Sequence, residues 1–333
     1  IIVPWNSALF CLGSVLGAAL AAGNCVVIKP PEFTPFTTLR LIELAIDVGF
    51  PPGVLNAVPG DGAVGAALVG HTGIDKIHFT GSGATATRIL QSAAVNLTPV
   101  ATELGGKSPN IIFDDADLDS ASFMALAFCM QVSGQGCING TRILVQDNVH
   151  DEVVARLEQN AVMFAPGDPR LPETMFGPVI NQAAIDRITG FIERAKAASA
   201  GTLVTGGSRA TGEFGDGFYL QPTIFADVDP ASEIARTEIF GPVMSVIKFT
   251  DEADALAKAN DTDFGLASYI QTTDLGRAHR MAAELDAGMV WINGLGFPPS
   301  IPFGGVKQSG TGRSGGLAGI HEFSRTKNIW ISL

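Results

Sequence analysis

The first hundred residues alternate short apolar runs with helical stretches, and each run ends in a polar, Gly-rich or Pro-rich loop. Strands are expected at 1–3, 25–28, 54–58, 76–79 and 100–104, with helices at 8–22, 35–48, 62–69 and 84–95. A strand can reach a parallel neighbour only through a crossover, so this alternation builds a parallel sheet with helices on both faces. Ligands bind such sheets beyond the carboxyl ends of the strands. Function is therefore expected in the loops Pro4-Trp5-Asn6, Lys29-Pro30-Pro31-Glu32, Pro59-Gly60-Asp61-Gly62, Thr80-Gly81-Ser82-Gly83 and Gly105-Gly106-Lys107.

A second α/β stretch runs from about Ser108 to Pro302, which gives the 333 residues room for two cores. Helices are expected there at 118–132, 151–164, 181–200 and 251–260, and strands at 142–145, 202–205, 243–249, 268–271 and 288–292. A Gly-rich stretch, 302–319, leads into a basic, β-prone tail at 325–333. Residues 1–28 hold no charge, a length able to cross a bilayer. Pro4 and the Gly23-Asn24 stop signal break that run into strand, buried helix and strand, so no membrane partner is expected. The chain opens directly on a strand without Met, and an upstream part is expected to be missing.

A net charge of −12 without a Lys/Arg cluster argues against nucleic acid as a partner. The four cysteines form no C-x-x-C and the histidines are scattered, so neither a disulfide framework nor a metal site is expected. A reducing, cytoplasmic setting follows.

Three motifs carry chemistry, each against a plainer reading. Gly81 to Ala86 satisfies G-x-G-x-x-A after a strand and at a helix start, where free N–H groups and the helix dipole hold phosphate. A Gly-rich strand-to-helix turn alone is common, however. Glu103 stands about 20 residues on, where that fingerprint places a ribose-binding acid. As a carboxylate ending an apolar strand, it is equally a general base with raised pKa or one half of a salt bridge to Lys107. Cys137 sits among Ser133, Gly134, Gln135, Gly136, Asn139, Gly140 and Thr141, a setting for a reachable thiol. Cys11, Cys25 and Cys129 lie in apolar runs and read as small buried hydrophobes.

In register over the whole chain, Pro4-Trp5-Asn6, Lys29-Pro30-x-Glu32, Phe79-Thr80-Gly81-Ser82, Glu103-Leu104-Gly105-Gly106-Lys107, Gly134-Gln135-x-Cys137, Glu238-x-Phe240-Gly241-Pro242-Val243 and Pro302-Phe303-Gly304-Gly305-x-Lys307-x-Ser309-Gly310 closely resemble the aldehyde dehydrogenase superfamily. The resemblance implies an α/β fold: a Rossmann-like parallel-sheet cofactor domain at 1–106 and an α/β catalytic domain at 107–303. A Gly-rich stretch and helix at 304–323 and an oligomerisation strand at 324–333 complete it. It implies a homo-dimer or homo-tetramer, and it moves the ribose contact from Glu103 to Lys29 and Glu32.

By that resemblance the Cys137 thiolate attacks an aldehyde, and Asn6 with the Cys137 N–H stabilises the oxyanion. Hydride passes to the nicotinamide, and water activated by Glu103 hydrolyses the Cys137 thioester. Glu238 and Phe240 hold the nicotinamide end, while Gly81 and Ser82 contact the pyrophosphate. Glu32 favours NAD, with NADP possible. The aldehyde tunnel corresponds to Ser7, Cys11, Ser14, Gln131, Gly136, Ile138, Phe297 and Phe303, a set without Lys or Arg that fits a medium or bulky apolar aldehyde. Where many hydrolytic relatives carry an acid after Gly312-Arg313, this chain has Ser314. The family also carries a region upstream of Pro4, so 1–333 alone is expected to be unstable or inactive. A silent structural fragment would be expected to lose Cys137, Glu103 or Asn6, and a cofactor-independent cysteine esterase would need a histidine beside Cys137. Neither pattern is present.

Overall fold

Ile2 forms parallel bridges to Lys29 on one side and Phe79 on the other, which places the head of the chain in the middle of a sheet. The computed structural model describes residues 1–333, and this sheet organises the first of two units. That unit comprises Ile1–Leu104, Phe297–Gly305 and Ser309–Leu333. β1 (Val26–Ile28) pairs in parallel with β2 (Leu55–Ala57), and β3 (Ile77–Thr80) with β4 (Val100–Glu103). The spatial order is thus β2, β1, the Ile2 segment, β3, β4. Chain order reverses beside Ile2, and the crevice at such a reversal is where open α/β sheets take ligands. The short strand Gly310–Thr311 runs antiparallel along β4 and covers its edge, with Gly310 opposite Glu103.

The uncharged head of the chain is no membrane span. Helix Ala8–Ala21 has 14 residues and buries Ala8, Leu12, Val15, Leu16 and Ala19, the one-sided spacing of a helix packed on a sheet. It packs with Val26 and Ile28 of β1 in one apolar cluster. No helix of the chain is long and apolar enough to cross a membrane.

The second unit comprises Gly105–Gly296 and Val306–Gln308. Its strands are β5 (Ser108–Ile112), β6 (Gly140–Gln146), β7 (Thr202–Thr205), β8 (Thr223–Ala226), β9 (Val243–Phe249), β10 (Phe264–Gly265), β11 (Ala267–Gln271) and β12 (Met289–Ile292). All but β10 form one sheet in the order β12-β11-β5-β6-β9-β8-β7, parallel except where β7 meets β8. β5 is central and buried throughout, yet its sequence gives no strand signal because Pro109 cannot donate to a ladder. A register shift between Ser108 and Pro109 absorbs the missing N–H. β8 and helix Leu275–Glu284 also escape the sequence reading.

The tail after helix Gly316–Glu322 takes no strand partner within the chain, and Ile329, Trp330 and Ile331 are exposed.

Candidate active site

In the second unit, helix Leu118–Met130 ends in a short turn in which Val132, Ser133 and Gly134 have φ of 51, 54 and 77°. Left-handed backbone costs about 1–2 kcal/mol per non-Gly residue, and a β-branched one such as Val132 resists it most. Surrounding bonds hold the turn in place. The Ser133 hydroxyl donates to the Gly177 carbonyl at 2.9 Å. Gln135 accepts from the Ile180 N–H at 2.9 Å and donates to the Val132 carbonyl at 3.1 Å. Buried Asn139 donates to the Cys129 and Gln131 carbonyls at 3.0 and 3.2 Å, which caps the helix end. The Tyr269 hydroxyl donates to the Ile138 carbonyl at 2.9 Å, and its ring stacks on Phe128 and Trp291. A side chain on Gly136 would overlap Asn139, and one on Gly134 would overlap the Gly241 backbone.

Cys137 is a half-buried thiol on this fixed loop. Cys129 is fully buried, and burial pushes its thiol up to about 12, too high for a nucleophile. Two other cysteines depart from expectation. Cys25 is exposed, because the turn at Gly23 leaves it just outside β1, and Cys11 is half-buried on the flank of helix Ala8–Ala21.

Glu238 lies beside the loop that opens this unit. Its carboxylate accepts the Gly106 N–H at 3.1 Å, and a side chain on Gly105 would overlap it. Burial raises its pKa to about 7 against the Gly106 bond and the charges of Lys107 and Arg187. Phe240, two residues on, has φ 54°. Lys107 is wholly buried and its ammonium makes no hydrogen bond; burial lowers its pKa to about 7.

In the first unit, Glu103 ends β4 with 5% exposure, and neither carboxylate oxygen has a hydrogen-bond partner. The salt-bridge reading therefore fails for Glu103. Desolvation raises its pKa well above the ordinary 4.5, opposed by Arg313 and reinforced by Glu322. Asn6 lies on the loop after the Ile2 segment; the Cys11 thiol points to its backbone carbonyl at 3.9 Å. Gly304 has φ +152°, and a Cβ there would stand 2.8 Å from Glu103 Oε1 and 2.9 Å from the Gly312 carbonyl. Gly304→Ala is expected to cost about 1–3 kcal/mol in denaturant unfolding. Any chemistry that uses the Glu103 carboxyl should fall further than that loss accounts for, because the added methyl displaces it.

Lys29, at the carboxyl end of β1, is 5% exposed and its ammonium meets the Glu32 carboxylate at 2.7 Å. The pair joins a buried amine to a half-exposed acid. Gly81 follows β3, and a side chain on it would overlap the Phe79 ring. Ser82 caps helix Gly83–Ala93 by accepting the Thr85 N–H at 3.4 Å.

The tunnel positions fall into two groups. Ser7, Cys11, Ser14, Phe297 and Phe303 belong to the first unit, where Ser14 donates to the Cys11 carbonyl and the Phe297 and Phe303 rings lie 6.5 Å apart. Phe10, absent from the expected set, meets Phe297 edge-on at 5.5 Å. Gln131, Gly136 and Ile138 belong to the second unit, bonded through Asn139 and Tyr269 as above. Sequence reasoning also missed Asn139, Tyr269 and Arg313 as supports. Only the place of Asn139 in the polar loop beside Cys137 signalled it.

The chain is similar to known proteins along almost its whole length. The sequence model described as the aldehyde dehydrogenase family matches residues 1–329. A betaine aldehyde dehydrogenase of Cereibacter sphaeroides is 46% identical over 316 residues, covering 95% of this chain and 65% of that protein. This chain thus spans about two thirds of the length of the curated relatives it matches. The crystal structure of the aldehyde dehydrogenase KauB from Pseudomonas aeruginosa superposes with TM-score 0.96 at 42% identity, covering all of this chain and 68% of that one. An aldehyde dehydrogenase of Mycobacterium tuberculosis, solved with NAD+, gives TM-score 0.94 at 40% identity, covering 97% and 67%.

Proposed function

Since the chain belongs to the aldehyde dehydrogenase family, we propose that the protein oxidises an aldehyde to a carboxylic acid, with Cys137 as nucleophile and Glu103 as water-activating base. The observation that carries this reading is the Cys137 loop. Its backbone is held in a costly left-handed turn by buried side chains while its thiol stays reachable, and strain of that kind concentrates at functional sites.

The residues present fit a nicotinamide dinucleotide. Gly81 lets the Phe79 ring pack against the turn, the start of helix Gly83–Ala93 offers N–H groups, and the Lys29–Glu32 pair stands at the end of β1, across the Ile2 segment from β3. When bound, that cofactor supplies the hydride acceptor. The chain's own residues do the rest. Cys137 Sγ bonds to the carbonyl carbon, and the oxyanion is received by the Asn6 side chain and the Cys137 N–H. After oxidation Cys137 carries the acyl group as a thioester. Glu103 takes a proton from water, the water oxygen bonds to the acyl carbon, and the C–S bond breaks to return the thiolate. Glu238 and Phe240 position the nicotinamide end, and Ser82 the pyrophosphate.

Glu32 presents a carboxylate that suits a ribose diol and repels a 2′-phosphate, so NAD is preferred over NADP. Glu32→Gln is expected to reduce the NAD:NADP ratio of kcat/KM by about tenfold, the value of one lost charge-assisted hydrogen bond. An unchanged ratio would remove Glu32 from cofactor choice.

The rings of Phe10, Phe297 and Phe303 and the absence of Lys or Arg among the tunnel positions favour an apolar, aromatic or quaternary-ammonium aldehyde over a carboxylated one. A kinetic panel tests this, and preference for a dicarboxylic semialdehyde would contradict it. The exposed apolar tail, with no ladder in its own chain, supports assembly of a homo-dimer or homo-tetramer through that segment. The cysteine pattern supports a cytoplasmic setting.

A further inference from the structure

A buried carboxyl that accepts no hydrogen bond ionises only if a positive charge stands near it. Around Glu103 the candidates are few. β3 sets Thr80 beside it and the strand Gly310–Thr311 sets Gly310 there, and neither ionises. His78, lower on β3, is held neutral, because burial lowers its pKa to about 3. Helix Gly83–Ala93 carries one charged residue, Arg88, and it is exposed. Helix Ala8–Ala21 brings the Cys11 thiol, raised to about 11 by burial and then by the Glu103 charge. Helix Gly316–Glu322 brings Glu322, a like charge that is itself paired with Lys76. Arg313 is the group whose charge favours the carboxylate.

The Arg313 side chain is held away from a direct ion pair. Its Nη1 donates to the Gly305 carbonyl at 2.8 Å and to the Gly312 carbonyl at 2.7 Å. Gly304 shows how near the two side chains nevertheless come. A Cβ there would lie 2.8 Å from Glu103 Oε1 and 2.9 Å from Arg313 Cδ, so both pack where a side chain would project.

We propose that Arg313 is a positioning residue for Glu103: strapped to the Gly305 and Gly312 carbonyls, it supplies the counter-charge that lets the carboxyl release its proton without pinning it in a salt bridge. A direct Arg–carboxylate pair would lower the base's pKa by about 1–3 units and spoil it for proton abstraction. With no counter-charge, desolvation alone would hold the buried acid more firmly in its protonated form. The proposal rests on the reading of Glu103 as the base.

Infrared difference spectra between the protein and Glu103→Gln, recorded across pH, isolate the Glu103 carboxyl band without any turnover. In Arg313→Gln the protonated band is expected to persist about one pH unit higher, the low end of a single-charge effect. Arg313→Lys, which keeps the charge, should titrate close to the unsubstituted protein. Arg313→Met, which keeps the stem against Gly304, repeats the test if the Gln variant does not fold. A purely structural role would lower the melting temperature in all three and leave the Glu103 titration in place. An unchanged Glu103 titration in Arg313→Gln or Arg313→Met, or an equal shift in Arg313→Lys, overturns the proposal. Absence of aldehyde oxidation in the unsubstituted protein would count against the proposed activity alone.

Discussion

Cys137→Ala is expected to cut NADH formation from any accepted aldehyde by about four orders of magnitude or more, the scale on which removing a covalent nucleophile acts. The size follows from the role proposed for the thiol. In that role it forms the bond that sets up hydride loss and then carries the acyl group, so without it both half-reactions lose their path. Cofactor binding should persist, because the Lys29–Glu32 pair and the helix behind Ser82 do not depend on that side chain. The melting temperature should move little. The Cys137 loop is held by Ser133, Gln135, Asn139 and Tyr269, and none of those bonds uses the Cys137 side chain. Absorbance of NADH, a thermal melt and a cofactor-binding titration on the same preparation check all three. A variant that keeps more than a hundredth of the activity would show that the nucleophile is elsewhere.

Glu103→Gln should behave differently, and the difference is the more informative result. On the proposed route hydride transfer needs Cys137 but no base at the deacylation step, so the first turnover is expected to survive. Hydrolysis should slow by about 10²–10⁴-fold, the usual contribution of a positioned general base. Stopped-flow mixing would then show a burst of NADH followed by almost no steady state. The pH profile of the unsubstituted protein carries the same assignment. In the proposed role Glu103 acts as the carboxylate, and burial raises its pKa well above 4.5. Deacylation should therefore be full above that raised value and fall as pH drops through it, at a pH where an exposed glutamate would still be ionised. An acid limb at the ordinary glutamate value, or a Glu103→Gln variant without a burst, would remove Glu103 from the base role.

The first unit was legible in the sequence because its strands are short, apolar and punctuated by Gly and Pro. β1 to β4 and their helices fall within a residue or two of their expected bounds. β5 was not legible, because Pro109 in a central strand contradicts the local signal and only the register shift reconciles them. The residues of the site show the same contrast. Cys137 stands in a loop whose composition marks it, and Glu103 is the one charged residue at the end of β4. The left-handed turn at Val132-Ser133 is written in no local preference, since a β-branched residue avoids it; tertiary bonds to Gly177, Ile180 and Cys129 impose it. Arg313 was passed over for a similar reason. Its neighbour on the far side of Gly304 comes from β4, distant along the chain, and no spacing rule connects them. Cys25 illustrates the converse, an apolar neighbourhood in sequence that ends one residue short of the strand.

The most direct test of the covalent route is mass spectrometry of Glu103→Gln quenched after mixing with NAD and an aldehyde. A Cys137 route predicts one NADH per site and an acyl mass on the peptide that contains Cys137, absent when Cys137→Ala is added to the same variant. NADH released without an acyl adduct on Cys137, or an adduct on Cys11, Cys25 or Cys129 instead, would contradict it.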